Sequence, residues 1–175
     1  EMLLKAGYLE IGMDHFALPK DPLAVADKNH TLHRNFMGYT EERTNVLLGL
    51  GVSAISESPG CFHQNEKALP IYERRVGAGE VPTLRGHLLS EEDKLRREQI
   101  LTFMTRWEVE LESDKQTQDV KNFLAQLEKD HLIEFHGRVL KLTEIGKPFL
   151  RNACMALDQR LRNQAPMTKV FSQSV

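Results

Sequence analysis

The chain has 175 residues, a formal net charge of −2, and 41% hydrophobic and 27% charged residues, the composition of an ordinary globular protein and too apolar for a disordered one. No apolar run approaches the roughly 18 residues that a membrane-spanning helix needs. The near-neutral charge lacks the basic surplus from which nucleic-acid binding draws most of its affinity, so neither a membrane nor a nucleic acid is expected as a partner.

The opening residues Glu1-Met2-Leu3-Leu4-Lys5-Ala6-Gly7 hold neither an initiator methionine nor the basic start of a secretory signal, and a piece of a longer cytoplasmic protein is expected. Glu1 to Ala6 read as the end of a helix that Gly7 stops. Tyr8-Leu9-Glu10-Ile11-Gly12-Met13 reads as a short buried strand, and Asp14-His15-Phe16-Ala17-Leu18-Pro19 as a polar loop after it. Helix, strand and polar loop in that order are the grammar of an α/β barrel, whose chemistry sits on the loops that follow strands. Pro22 starts a short helix through Leu23-Ala24-Val25-Ala26. A second apolar run, Asn45 to Ser56, is interrupted by Gly49 and Gly51. Cys61 and Cys154 have no partners at metal-ligand spacing and the seven histidines form no zinc pattern, so reduced thiols and no protein-held metal are expected.

Near residue 90 the pattern changes. Ser90-Glu91-Glu92-Asp93 has the form of a capping box, and Leu95, Ile100, Leu101, Met104, Trp107 and Leu111 follow at helical spacing. Val120, Phe123, Leu124 and Leu127 mark a second helix, with Trp107 and Phe123 expected in the core. Leu132 to Phe135 and Arg138 to Leu142 flank His136-Gly137 as a hairpin. Thr143 caps a last helix carrying Ile145, Phe149, Ala153, Leu157 and Leu161, and the polar tail from Ala165 is expected to fray. The division expected is therefore 1–90 and 91–175. Helices around a hairpin resemble a winged-helix module, but Glu91, Glu92, Asp93, Glu108, Glu110, Glu112, Asp114, Asp119, Glu128 and Asp130 make the helical half acidic, and such a surface repels phosphate.

Gly7-Tyr8-Leu9-Glu10-Ile11-Gly12-Met13-Asp14-His15-Phe16-Ala17 resembles the G-Y-x-x-I-G-M-D-H-F-A stretch of the oxygen-independent coproporphyrinogen III oxidases. The likeness continues through Leu32 to Thr40, Leu48 to Ser56, Gln64-Asn65, Arg85-Gly86, Asp93 with Arg96-Arg97, Leu142-Thr143-Glu144, Gly146 and Arg151-Asn152. It implies an α+β fold: the last strands and helices of an incomplete radical S-adenosylmethionine (SAM) barrel, followed by a mainly helical, winged-helix-like C-terminal domain. It implies a SAM-derived radical that takes a hydrogen from two propionates of coproporphyrinogen III, which then lose carbon dioxide and become vinyl groups. The family's [4Fe–4S] cluster sits on a C-x-x-x-C-x-x-C motif that is absent here, and one cluster needs several converging thiolates. The chain alone is therefore expected to be silent, with SAM, the cluster, an electron donor and coproporphyrinogen III as the cofactors and partners of the whole, monomeric enzyme.

The same resemblance points to residues. Ile55 corresponds to a residue lining the SAM site. Phe36 and Met37 correspond to a pair contacting a second SAM molecule, although the family has Gln where Met37 stands, which trades a donor and acceptor for a weak thioether. Asp14, His33 and Arg34 are candidates for holding substrate carboxylates, Arg34 by a bidentate grip, and His15 is a candidate proton carrier. Lys20, Arg85, Arg96 and Arg97 are lesser candidates of the same kind. A haem-chaperone-like relative and a non-enzymatic winged-helix interaction module are the alternative functions.

Overall fold

The computed structural model describes residues 2–163; the expected frayed tail lies outside them. Helix α1 (Met2–Lys5) ends at Gly7, whose φ of 85° only glycine adopts freely. Strand β1 (Leu9–Gly12) follows as expected, but the chain then turns back at once. His15–Ala17 is a second strand, β2, paired antiparallel to β1 through Leu9↔Ala17, Glu10↔Phe16 and Gly12↔His15. The polar loop read at this point is thus a tight turn of Met13 and Asp14. Asp21 caps helix α2 (Pro22–Lys28) by accepting the Leu23 amide at 2.9 Å. β3 (His33–Asn35) and β4 (Gly38–Thr40) form another hairpin. Ile11, Ala17, Ala24, Ala26, Leu32 and Tyr39 bury one another in a small core.

The apolar run from Asn45 gives little regular structure: a lone bridge of Leu47 to Glu57, then β5 (Ile55–Glu57). β5, β6 (Cys61–Asn65) and β7 (Thr83–Leu88) make a sheet in that order, with α3 (Leu69–Gly77) between the last two. Every named strand pair among the described residues is antiparallel. Helix and strand are mixed, as expected, without the parallel neighbours that a barrel strand requires.

α4 (Glu91–Arg106) starts on a complete capping box: Ser90 Oγ accepts the Asp93 amide at 3.2 Å and Asp93 Oδ2 accepts the Ser90 amide at 2.9 Å. The helix stops earlier than its spacing suggested. Trp107 turns left-handed at φ 63°, and Glu108–Glu110 is strand β8, with Val109 buried between two exposed glutamates. α5 (Asp114–Lys129) leads to β9 (Ile133–His136) and β10 (Val139–Leu142), joined by a Gly137-Arg138 turn, one residue later than expected. The sheet order is β8-β10-β9. Thr143 caps a 3₁₀ turn (Glu144–Phe149) by accepting the Gly146 amide, and α6 (Leu150–Cys154) and α7 (Gln159–Asn163) complete the described chain.

This half owns the larger core, running from Phe103 and Val109 through Val120, Leu124, Ile133 and Leu140 to Leu150 and Leu157, all nearly or wholly buried. Each such side chain contributes about 1.5–3 kcal/mol by burial. Gln99 and Gln116 are buried with it and satisfy one another, exchanging amide bonds of 2.7 and 3.2 Å. Trp107 packs on the rim of the core, as expected. Phe123 does not: it is 45% exposed, with the Arg162 guanidinium 4.8 Å above its ring. Among the described residues no helix is long and apolar enough to cross a membrane.

Candidate functional site

Successive residues of a strand point to opposite faces. In β3 this separates neighbours that the sequence put together. Arg34 lines a cleft of about 740 Å³ between the β3–β4 hairpin, the ends of the β5-β6-β7 sheet, α4 and α7. His33 lies instead in a smaller cleft of about 260 Å³ beside Arg43 and Arg97. Burial there, followed by those two cations, holds the His33 imidazole below its usual range and so uncharged at neutral pH. A neutral imidazole is a poor grip for a carboxylate.

The larger cleft falls in the range of small-molecule sites and has four arginines on its walls. Three are engaged. Arg97 pairs with Glu57 on β5 and stands 5.2 Å from the Phe62 ring centroid. Arg160 on α7 grips Asp93 with two bonds, Nε to Oδ1 at 2.7 Å and Nη2 to Oδ2 at 2.9 Å. These bonds, with those from Ser90 and His87, hold the Asp93 carboxyl far below the usual carboxylate range. Arg96 shares Nη2 between Glu92 Oε1 at 3.4 Å and Gln159 Oε1 at 3.2 Å, while its buried Nε has no acceptor.

Arg34 is the exception. Among the described residues it has no carboxylate partner. Its guanidinium carbon lies 4.6 Å from the centroid of the Tyr39 ring, and its buried Nη1 has no acceptor. The cleft thus keeps one arginine whose charge nothing cancels, the arrangement that receives an anion.

Of the other residues singled out in the sequence, Phe36 reaches this cleft and meets Phe62 edge-on at 5.3 Å. Met37, next to it in the turn, is 84% exposed, with its amide tied to Asn35 Oδ1 at 2.8 Å. Ile55 pairs with Gln64 in the β5–β6 ladder and does not line the cleft. Asp14 is exposed. The His15 ring sits edge-on to Tyr39 at 5.1 Å, and its Nδ1 stands 3.2 Å from Asp14 Oδ1 outside hydrogen-bonding geometry. Neither Asp14 nor His15 enters the cleft. Lys20 is exposed, and Arg85 is tied to Gln64 Oε1 at 3.1 Å. The residues that complete the cleft, Glu57, Phe62, Asp93, Arg160 and Tyr39 behind Arg34, come from five separate elements. Asp93 carried a local signal as part of the cap at Ser90, and Tyr39 carried one as an aromatic residue across a glycine-containing turn from an arginine.

The described residues do not assemble a site for an iron–sulfur cluster. Among the described residues no three His, Cys, Asp or Glu stand together as ligands. Cys154 is buried, which pushes its thiol up to about 12 and keeps it protonated; Cys61 lies in a different element, 3.2 Å from the Ser58 hydroxyl.

No family model matches the chain. It is 39% identical, over an alignment of 184 positions covering 99% of its length, to oxygen-independent coproporphyrinogen III oxidase of Escherichia coli (strain K12). The proteins of the same name from Pseudomonas aeruginosa and Synechocystis are 36% and 34% identical to it over 92% and 99% of the chain. A solved structure described as coproporphyrinogen III oxidase from Escherichia coli, a radical SAM enzyme, superposes with a TM-score of 0.83 at 37% identity, covering 91% of this chain and 39% of that one. The chain spans about 40% of the length of the curated relatives it matches, and it corresponds to their C-terminal part.

Proposed function

We propose, from this chain's membership of the oxygen-independent coproporphyrinogen III oxidase family, that it is the part of such an enzyme that grips propionate side chains of coproporphyrinogen III. In the whole enzyme, SAM and the cluster, fed by an electron donor, would supply radical chemistry: removal of a hydrogen atom from each of two propionates, with loss of carbon dioxide and of one electron to an acceptor. The role left for this chain is orientation. A carboxylate fixed at one end of a flexible side chain restricts which carbon is presented to the reagent, and such restriction lowers a barrier without touching the chemistry.

The observation that carries this reading is the unneutralised Arg34 guanidinium on the wall of the cleft. A substrate with four carboxylates also needs a site whose own acids do not repel it. Of the acids on its walls, Glu57, Glu92 and Asp93 each face an arginine, and Asp158 accepts the Leu161 amide through Oδ1. Arg96, with its free Nε, is the natural second anchor.

The architecture is read in the same light. β1 is taken as a strand at the margin of a barrel whose parallel neighbours belong to the portion of the relatives that this chain does not span. The order helix, strand, helix, hairpin from α4 to β10 supports a winged-helix-like domain, used here for packing. The acidic residues exposed on α4 and α5, such as Glu91, Glu98, Asp114 and Glu128, favour packing over phosphate binding.

Arg34→Gln in the full-length enzyme tests the proposal. A charge-assisted hydrogen bond is worth about 1.5–3 kcal/mol, so the KM for coproporphyrinogen III should rise about tenfold to a hundredfold. SAM cleavage measured without substrate should stay the same. Equal loss of both activities would make Arg34 a structural residue and sink the reading.

A further inference from the structure

We propose that Tyr39 is a positioning residue that holds Arg34 as an uncancelled cation for a ligand carboxylate, an inference that rests on the reading of Arg34 given above. Arg34 and Tyr39 stand directly opposite one another in the β3–β4 ladder, which puts both side chains on one face. The guanidinium carbon is 4.6 Å from the ring centroid, well inside cation–π range. The neighbouring arginines show the usual alternative. Arg97 and Arg160 are held by Glu57 and Asp93, and a carboxylate that fixes an arginine also cancels its charge. An aromatic face attracts the cation and leaves its charge and outward donors for something else. Nη1 of Arg34 is buried and has no acceptor, so the tyrosine face leaves that donor unmet.

The ring can do this because it is itself held on several sides. Its hydroxyl donates to the carbonyl of Met104 at 2.8 Å, in the last turn of α4, and the Met104 side chain lines the same cleft. Burial pushes the phenol up to about 12, so it remains a neutral donor across the working pH range. The backbone of Gly12 lies flat against the phenol, where a Cβ would collide with it. The His15 ring edge closes another side at 5.1 Å, and His15 is seated in turn on Gly38, where a Cβ would come within 2.8 Å of Nε2. The Gly12-Met13-Asp14-His15 stretch is therefore a mount for Tyr39, and His15 supports the arginine from behind instead of carrying a proton to a ligand.

The carboxylate has two chemical sources in the whole enzyme, a propionate of the tetrapyrrole or the amino-acid end of SAM. The test uses the full-length enzyme and equilibrium binding. Porphyrin fluorescence gives the Kd of coproporphyrin III, the oxidised tetracarboxylate analogue, and dialysis gives the Kd of SAM. A cation–π contact at a desolvated site is worth about 0.5–2 kcal/mol, so Tyr39→Leu should weaken one of the two about threefold to thirtyfold. The ligand affected identifies the source. Tyr39→Phe keeps the ring face and should restore binding to near the parent value. Tyr39→Leu combined with Arg34→Gln should bind no worse than Arg34→Gln alone, because the tyrosine acts through the arginine. Additive losses in the double variant, or a Phe variant as weak as Leu, would overturn the proposal. Should Tyr39→Leu fail to fold, pentafluorophenylalanine at position 39 keeps the shape and removes the electron-rich face. Binding equal to that of Tyr39→Phe would then overturn it. If Arg34→Gln changes neither Kd, the carboxylate reading itself falls; if it weakens one and Tyr39→Leu weakens neither, only the role of Tyr39 falls.

Discussion

Residues 91–157 and residues 41–90 hold their shapes by different means. The first stretch closes around Phe103, Val120, Leu124, Ile133, Leu140 and Leu157, each at most 1% exposed. Among the described residues from 41 to 90, only Ser56 and Asn65 are buried, and both are polar. They act as pins. Asn65 Nδ2 donates to the carbonyls of Gly49 and Gly51 at 3.2 and 3.0 Å, and Ser56 Oγ accepts the Gly49 amide at 3.0 Å. Meanwhile Val46, Leu48, Leu50, Val81 and Leu88 stay in solvent, Leu50 at 92%. A segment shaped by hydrogen bonds and strand pairing gains little net free energy per contact, whereas burial accumulates with area. The cleft lies where the two stretches meet: α4 supplies one wall, the β5-β6-β7 sheet supplies another, and the β3–β4 hairpin closes it.

The sharpest way to break that comparison is to separate the pieces. Residues 91–163 should unfold cooperatively when produced alone, with a single thermal transition followed by circular dichroism. Residues 1–90 should show no such transition and should bind a hydrophobic dye. A cooperative transition in the first ninety residues would mean that polar pins and the small core around Ile11 suffice. A smaller effect sharpens the contrast within the intact chain. Leu140→Ala removes a fully buried side chain and should cost about 2–5 kcal/mol in denaturant unfolding. Leu50→Ala should stay within about 0.5 kcal/mol of the parent. Similar losses at both positions would show that Leu50 is covered in solution.

The same divide governs how much could be read in advance. Caps were legible because they are local: Ser90 with Asp93, and Thr143, act over three residues. The end of α4 was not. Ile100, Met104, Trp107 and Leu111 continue a helical spacing with no glycine or proline to interrupt it, and the alternation of Glu108-Val109-Glu110-Leu111 is too short to outweigh them. The first hairpin was missed because Met13, not glycine, takes the left-handed position in its turn, at φ 52°. Spacing alone puts Phe123 in the core, and the arginine that covers it lies 39 positions later, at Arg162. In the site, the residue type of Arg34 pointed to a carboxylate, but its separation from His33 required knowing that β3 is a strand. The pairings Arg97–Glu57 and Arg160–Asp93, which single Arg34 out by contrast, are tertiary facts with no trace in local order.

The mildest prediction concerns the charges that tie α7 to the helices beside the cleft. Asp93 is held down chiefly by the two bonds from Arg160, with Ser90 and His87 adding theirs, and Asp119 is held down chiefly by Arg162. A carboxyl whose folded value is depressed stabilises the folded state at every pH above its unfolded value, near 3.9, and loses that contribution as pH falls toward the folded value. Thermal stability should therefore be flat from neutral pH down to about 5 and decline below about 4. Arg160→Gln should remove part of that decline, because Asp93 would keep only the bonds from Ser90 and His87, while stability near pH 7 drops slightly. Both pairs sit near the surface, where salt screens such interactions, so high salt should imitate the substitution. A decline below pH 4 that neither salt nor Arg160→Gln reduces would assign the acid sensitivity elsewhere.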